Sequence, residues 1–240
     1  MKIISLYWGY LIGEEHLTDE QIANIDFGNP SIDTEFITFD PLASSYFQGR
    51  YFTMVERKLF FPHRKLPAMR TETLVMYDET FVKIFDPPAD LATPAGIYQA
   101  VFIGKKEQIN KAITFLSKRI NLRFSPCDLD VEKFFLKLRK TRLEVFPKSL
   151  VISNLQLNET LSGNLEVFLE DPELFIKQLK AYKPKIQQIK LLIKEVAFHL
   201  PLIVAINGTI SYEKNIDKLS LLDTITEVAI RSVYTGIPPK

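Results

Sequence analysis

Histidine and cysteine are the side chains in this sequence best suited to proton transfer and nucleophilic attack. His16, His63 and His199 are far apart along the chain, and no metal-ligand spacing relates them. General acid–base catalysis needs a positioned partner group, which no motif here supplies. Cys127, the single cysteine, precedes Asp128 where a helix is predicted to begin. A helix N-terminus favours the thiolate but the neighbouring carboxylate disfavours it, so we interpret Cys127 as a structural residue.

Two acids and a lysine have a spacing that is found in metal-dependent nucleases. Asp40 ends a predicted strand, and Glu56 and Lys58 lie two residues apart on the next. An aspartate followed by Glu-x-Lys on an adjacent strand resembles the core pattern of the restriction-endonuclease-like nucleases. The resemblance implies that Asp40 and Glu56 hold Mg²⁺ while Lys58 stabilises the attacked phosphate. Alternation along the strand places Glu56 and Lys58 on one face, which equally suits an exposed structural ion pair.

Other catalytic motifs are absent from the sequence. It contains no His-x-x-x-His pair, no Gly-x-Ser-x-Gly elbow and neither of the glycine-rich phosphate loops. The nine glycines are mostly isolated, which argues against a nucleotide-cradling loop. We therefore predict no cofactor and no metal site, and favour a protein that is not an enzyme.

Charge is segregated along the chain, although the formal net charge is only +1. Residues 1–50 contain eight acids and two bases, whereas residues 57–70 contain five bases and no acid. The basic residues of this first tract are Arg57, Lys58, Arg64, Lys65 and Arg70. A second basic tract includes Lys137, Arg139, Lys140 and Arg142. Basic residues interleaved with aromatics can follow a phosphate backbone and stack bases, but such lysines are also common on solvated surfaces.

The charge pattern favours a binding protein over an enzyme. We predict a non-enzymatic accessory component of a larger assembly, which acts through charged surfaces on a protein partner or on copies of itself. The alternative is a DNA- or RNA-binding protein that uses the two basic tracts. A second alternative is the Mg²⁺-dependent nuclease described above.

The order of predicted elements favours an α+β fold. Pairs of strands followed by a helix recur, and such strand-strand-helix units predict an antiparallel sheet with helices packed on one face. Apolar residues at helical spacing predict helices over 105–120, 130–140, 172–182 and 219–234. A further short helix is predicted after Thr18 from a capping box.

Three segments permit more than one interpretation. Residues 74–77 and 81–85 could form a hairpin around Asp78 and Glu79. Residues 186–196 could be a strand or a helix. Asn207-Gly208 lies inside a predicted strand over 202–212, but it could instead form a tight hairpin turn.

Proline at positions 87 and 88 suggests a linker that ends at Gly96. We therefore predict a β-rich region over 1–90 and an α+β region over 96–240, which could also form one continuous domain. The longest apolar stretch outside the N-terminus, 198–206, is far shorter than the roughly 20 residues of a membrane span. We expect a soluble, cytoplasmic protein without a membrane partner.

Overall fold

A computed structural model describes residues 3–14, 24–39, 47–61, 70–85, 96–156, 162–168, 171–182, 186–195, 198–213 and 219–232. The chain divides into two compact units. We call residues 11–123 the inserted unit, and residues 1–10 together with 124–240 the split unit. The predicted Thr18 helix and the linker over 87–95 lie outside the described residues.

The inserted unit is built on an antiparallel sheet. Its strands are β2 (Glu35–Phe39), β3 (Phe47–Phe61), β4 (Arg70–Phe85) and β5 (Ile97–Gly104), which follow one another in the order β2-β3-β4-β5. One helix, α1 (Lys106–Ile120), follows β5 and contacts β4 and β5.

The core of the inserted unit lies between α1 and the face of the sheet that carries Tyr51, Val82 and Phe102. These three side chains are buried, as are Ile109 and Leu116 of α1. The rings of Tyr51 and Phe115 lie 5.4 Å apart. Alternate residues of β3 and β4 therefore face the helix, as the pleat of a strand requires.

The split unit contains the remaining elements. Its strands are β1 (Ile3–Ile12), β6 (Arg123–Pro126), β7 (Glu144–Gln156), β8 (Ser162–Phe168), β9 (Ile186–Glu195), β10 (Phe198–Ala205) and β11 (Thr209–Glu213). The boundary between the units falls inside two of them, so only the part of β1 up to Tyr10 and the part of β6 from Phe124 belong to the split unit. The strands follow the order β1-β11-β10-β9-β7-β8, with β6 paired to β1. The helices are α2 (Val131–Leu138), α3 (Pro172–Tyr182) and α4 (Leu219–Ile230).

Local signals explain where several of these elements begin. Asp130 accepts a hydrogen bond from the backbone N–H of Lys133, and Asp171 accepts one from that of Glu173, so both acids cap helices. Gly208 has a φ of 76°, which suits the turn between β10 and β11. Asn207-Gly208 therefore forms the separate hairpin turn, and residues 186–195 form a strand.

The predicted α+β architecture, with helices packed over one face of the sheet, is wrong. The antiparallel strands dominate the described residues, which contain only four short helices. The helices of the split unit pack on one another, with the rings of Phe135 and Phe175 4.9 Å apart, and they contact β7 and β9. Helix α1 packs on one face of the inserted unit's sheet, but the four helices of the described residues do not form a layer across the strands.

The predicted hairpin around Asp78 and Glu79 is also wrong, because β4 runs through both residues as one strand. Asp78 pairs with Thr53 and Glu79 with Phe52 in the β3–β4 register. Each acid has a cationic partner in the fold, Lys105 for Asp78 and Arg50 for Glu79. These partners make an extended conformation favourable where the sequence suggests a turn.

Candidate docking surface on the β3–β4 ribbon

The outer halves of β3 and β4 form a two-stranded ribbon, which we define as residues 54–61 and 70–77. Their register runs from Met54 opposite Tyr77 to Phe61 opposite Arg70. Strand β2 pairs with β3 only up to Thr53, and β5 pairs with β4 only from Phe81 onward. Among the described residues, no third strand flanks the ribbon, which is about 26 Å long at 3.3 Å per residue.

The β4 half of the ribbon carries consecutive apolar side chains that are exposed. Leu74, Val75, Met76 and Tyr77 are 43%, 52%, 40% and 46% exposed. Because neighbouring side chains on a strand point to opposite faces, apolar surface is open on both sides of the ribbon. Exposed apolar side chains on both faces of a strand pair, Leu74 and Met76 on one and Val75 and Tyr77 on the other, are typical of an interaction site.

One face of the ribbon continues into an aromatic cluster. Phe36 and Phe52 stack with their centroids 5.1 Å apart, and Tyr77 meets Phe36 edge-on at 5.5 Å. Phe36 is buried and Tyr77 half-exposed, so the cluster fixes the ribbon's base and leaves its outer end open. Val75, Glu56 and Lys58 lie on the same face, because they are at alternate positions or directly opposite.

The opposite face of the ribbon is anchored at its base by Asp78. The Asp78 carboxylate accepts hydrogen bonds from Lys105 Nζ at 2.7 Å and from Gln108 Nε2 at 3.2 Å. Arg57 Nη2 lies 3.6 Å from the same carboxylate. Arg57, a residue of the first basic tract, is therefore engaged within the protein.

Each strand of the ribbon has an open edge, the side on which no described strand pairs with it. The backbone hydrogen bonds of β3 show which residues direct their N–H and C=O groups to these edges. Met54 donates its backbone N–H to the carbonyl of Thr34, on the side away from β4. Backbone groups alternate along an antiparallel strand, so Glu56 and Lys58 also direct theirs to the open edge of β3. By the same alternation, the open edge of β4 presents the backbone groups of Thr73, Val75 and Tyr77.

The first basic tract is described only in part. Arg57 and Lys58 are exposed on the ribbon, and Arg70 begins β4. Arg64 and Lys65 lie outside the described residues. The prediction that this tract forms one binding surface is therefore untested.

The second basic tract is partly engaged in internal contacts of the split unit. Lys137 Nζ donates to the carbonyl of Arg231 at 2.7 Å, and the pKa of Lys137 is lowered by burial and then by the nearby Lys133, Arg231 and Lys140. Arg139 lies 3.8 Å from Glu173 and 5.9 Å from the Phe135 ring.

Lys140 and Arg142, the remaining members of this tract, are exposed and form no ion pair among the described residues. Lys133, Arg231 and Lys140 lie close enough to Lys137 to contribute, after burial, to its lowered pKa, and Arg231 is itself paired with Glu227.

The nuclease-like triplet is not assembled by the described residues. Glu56 and Lys58 are exposed on one face of the ribbon, as predicted. Asp40 lies outside the described residues, and its neighbour Phe39 pairs with Gly49, seven positions before Glu56. No group of His, Cys, Asp and Glu side chains in the described part of the chain could hold a metal ion.

The split unit brings together a serine, a lysine and a glutamate that sequence reasoning missed. Glu166 accepts hydrogen bonds from Ser149 Oγ at 2.6 Å and from Lys190 Nζ at 2.7 Å. The bond from Lys190, followed by that from Ser149, lowers the pKa of Glu166. The two bonds join side chains of β7, β8 and β9, so we interpret this group as a contact that stabilises strand pairing.

The open edge of β4 was missed because residues 74–77 and 81–85 were interpreted as two short strands joined by a turn at Asp78 and Glu79. The available signal was the uncharged run Thr-Leu-Val-Met-Tyr, which has high strand propensity.

Comparison of the chain with protein-family models and with curated proteins gives no match. None of the helices in the described ranges has the length and apolar character needed to span a membrane.

Proposed function

We propose that this protein is a non-enzymatic binding component that joins a larger assembly by docking a protein partner on the β3–β4 ribbon. The supporting observation is the run of exposed apolar side chains from Leu74 to Tyr77 on a ribbon that no described strand flanks. An isolated two-stranded ribbon is marginally stable in water, and a partner that covers it stabilises it.

The apolar character of the ribbon favours a protein over a nucleic acid. Nucleic-acid affinity depends mainly on cations at phosphates. On the ribbon, Arg57 is engaged by Asp78, and Glu56 lies on the same face as Lys58. Apolar side chains gain free energy from contact with other apolar surface, at about 25 cal/mol per Å² buried. The basic residues of the first tract then favour a partner with acidic groups at the rim of the interface, which accelerates association.

The proposal is tested by photo-crosslinking from the ribbon in cells. A benzophenone amino acid replaces Tyr77 in one variant and Ile32, an exposed apolar residue away from the ribbon, in the control. We expect discrete protein adducts from position 77 and none from position 32. Equal adducts from both positions, nucleic-acid adducts from position 77, or no adduct would each contradict a protein-docking ribbon.

A second candidate function is nucleic-acid binding through the second basic tract. It is favoured by the cluster of Lys133, Lys137, Lys140 and Arg231, whose mutual repulsion contributes to the lowered pKa of Lys137. Phosphate contacts would give a steep decrease in affinity with salt concentration. Titration of labelled DNA and RNA across a salt series tests this function, and weak binding without a salt slope contradicts it.

A further inference from the structure

A groove with a volume of about 680 Å³ lies beside α1 in the inserted unit, and we call it the α1 groove. Its described lining residues come from α1 and from the segment that enters β2, and none of them belongs to the ribbon. The volume is within the range of about 300–1,000 Å³ that is usual for sites that bind small molecules. The groove is therefore large enough to be a ligand site separate from the docking ribbon.

The two walls of the α1 groove carry opposite charges. Asp33 and Glu35 lie on the β2 wall, and Lys111 and Lys118 lie on the α1 wall. Glu107 adds one acid at the N-terminal end of the α1 wall. Within the described part of the chain, no ion pair joins the two walls. Walls that do not neutralise each other are complementary to a ligand that carries both charges.

The acidic wall is held in place by backbone hydrogen bonds. The N–H of Asn29 donates to the Asp33 carboxylate at 2.6 Å, and the N–H of Asp33 donates to the carbonyl of Asn29 at 2.8 Å. Next to it, the N–H of Met54 donates to the carbonyl of Thr34 at 2.8 Å. A wall that is already ordered loses little conformational entropy when a ligand binds, which favours affinity.

Glu35 provides the inner charge of this wall. It pairs with Thr53 in the β2–β3 register, so Glu35 and Tyr51 are diagonal neighbours on the sheet face that α1 covers. The charge of Glu35 adds to burial in raising the pKa of Tyr51, so the carboxylate lies close to the buried phenol. Buried surroundings have a low dielectric constant, which strengthens the attraction between Glu35 and a cationic group in the groove.

The basic wall offers two lysines to an anionic group. Arg119 also lines the groove, but its guanidinium is engaged by Asp26 at 2.9 Å and lies 5.2 Å from the centroid of the Phe115 ring. Lys111 and Lys118 form no ion pair among the described residues. They are seven residues apart on one side of α1, which is about 10 Å at 1.5 Å per residue. An anionic group therefore meets lysine and not arginine here.

The remaining lining side chains indicate the chemistry between the two charges. Phe115 is the only apolar side chain among the described residues that line the groove, so an apolar ligand would gain little there. Thr34 and Asn110 line it as well, and their hydroxyl and amide groups can donate to and accept from peptide bonds. We infer that the α1 groove binds a small zwitterion of the short-peptide class, with its ammonium group at Glu35 and its carboxylate between Lys111 and Lys118.

Trialanine tests this inference, because its two charged ends can be blocked separately. The full-length, isotope-labelled protein is titrated by NMR at low ionic strength with trialanine, N-acetyl-trialanine and trialanine amide. We expect saturable shifts of the backbone amides over 33–35 and 107–119 with trialanine. Each blocked peptide lacks one of the two charges, so we expect its dissociation constant to be at least tenfold higher.

Two substitutions identify which wall holds which end. Lys118→Gln should weaken binding of trialanine at least fivefold but leave that of trialanine amide unchanged, because the amide has no carboxylate. Glu35→Gln should weaken binding of trialanine but leave that of N-acetyl-trialanine unchanged. The control is Lys106→Gln, an exposed lysine of α1 that is not among the lining residues, which should bind all three peptides like the wild type.

Several outcomes would overturn the zwitterion site. They are the absence of saturable shifts, shifts centred outside the groove, and equal affinity for the free and the blocked peptides. Equal weakening by Lys118→Gln and Lys106→Gln would show a general attraction to surface charge and would also overturn it. The Tyr77 photo-crosslink does not depend on any of these results, so the site and the proposed docking function can fail independently.

Discussion

Lys105 donates a hydrogen bond to Asp78 over 2.7 Å, although 27 residues separate the two in the sequence. Asp78 lies in the middle of β4, where the ribbon leaves the rest of the inserted unit. Lys105 lies directly before α1. The contact therefore ties the base of the ribbon to the start of the helix, and it keeps β4 extended through two consecutive acids.

Asp78→Asn tests this anchor. The substitution weakens the bonds to Lys105 and Arg57, and we expect a loss of about 1–2 kcal/mol in the free energy of unfolding, because hydrogen bonds to charged groups are the stronger ones. The matched control is Glu79→Gln, which breaks the more exposed pair with Arg50 and should cost less than about 0.5 kcal/mol. Urea denaturation measures both values. Equal losses would show that the Asp78–Lys105 pair contributes no more to stability than the exposed Glu79–Arg50 pair.

Tyr51 predicts a stabilising substitution. Its side chain is fully buried, and among the described residues its hydroxyl makes no hydrogen bond of good geometry, although the side chains of Thr53 and Glu35 lie close enough to affect its pKa. Tyr51→Phe removes this unsatisfied group, so we expect a gain of about 1 kcal/mol at neutral pH. The control is Tyr77→Phe, whose half-exposed hydroxyl should matter little. If Tyr51→Phe is less stable than the wild type, the Tyr51 hydroxyl makes a stabilising hydrogen bond in the folded protein, which would contradict this prediction.

The same residue predicts a pH dependence. Burial, and then the charge of Glu35, raises the pKa of Tyr51 to about 12, whereas an unfolded tyrosine titrates near about 10. The unfolded chain therefore loses its proton first, and the contribution of Tyr51 to stability, fully present below pH ~10, is lost as the pH rises toward 12. We expect the wild type to lose more stability than Tyr51→Phe across this window, as measured by denaturation at each pH. Parallel curves would contradict the raised pKa.

The first basic tract predicts a separation of binding from stability. Replacing Arg64, Lys65 and Arg70 with alanine should cost less than about 1 kcal/mol in unfolding free energy, the range expected when charged side chains act in binding and not in holding the fold. Partner or nucleic-acid binding should weaken, more at low salt than at high salt. The control replaces the exposed Lys106, Lys118 and Lys177. A variant that melts much earlier, with unchanged binding per folded molecule, would show that the tract holds the fold together.

The nuclease-like triplet predicts a negative result. Glu56 is exposed on the ribbon, and the register gives β2 no contact with it. Asp40→Ala and Glu56→Ala should therefore leave any Mg²⁺-dependent cleavage in a purified preparation unchanged, with Glu107→Ala as an exposed acidic control. Loss of cleavage in both variants, but not in the control, would establish the hydrolytic interpretation.

Much of the secondary structure could be predicted because its signals are local. The apolar spacing of residues 106–120 forms α1, the caps at Asp130 and Asp171 start helices, and Gly208 forms a turn. Each of these depends on residues only a few positions apart. The antiparallel sheet also followed from the order of the elements, because pairs of strands followed by a helix favour antiparallel pairing.

The sequence by itself determined the positions of the four described helices, the segregation of charge and the uncharged run from Thr73 to Tyr77. Only the tertiary structure decided that β4 is continuous, because Asp78 is stabilised by Lys105 from a distant segment. It also decided that β2 and β5 stop short of the ribbon, which leaves Leu74 to Tyr77 exposed. The strand propensity of an apolar residue reflects packing against its neighbours, so only the neighbours supplied by the fold distinguish a core from a docking surface.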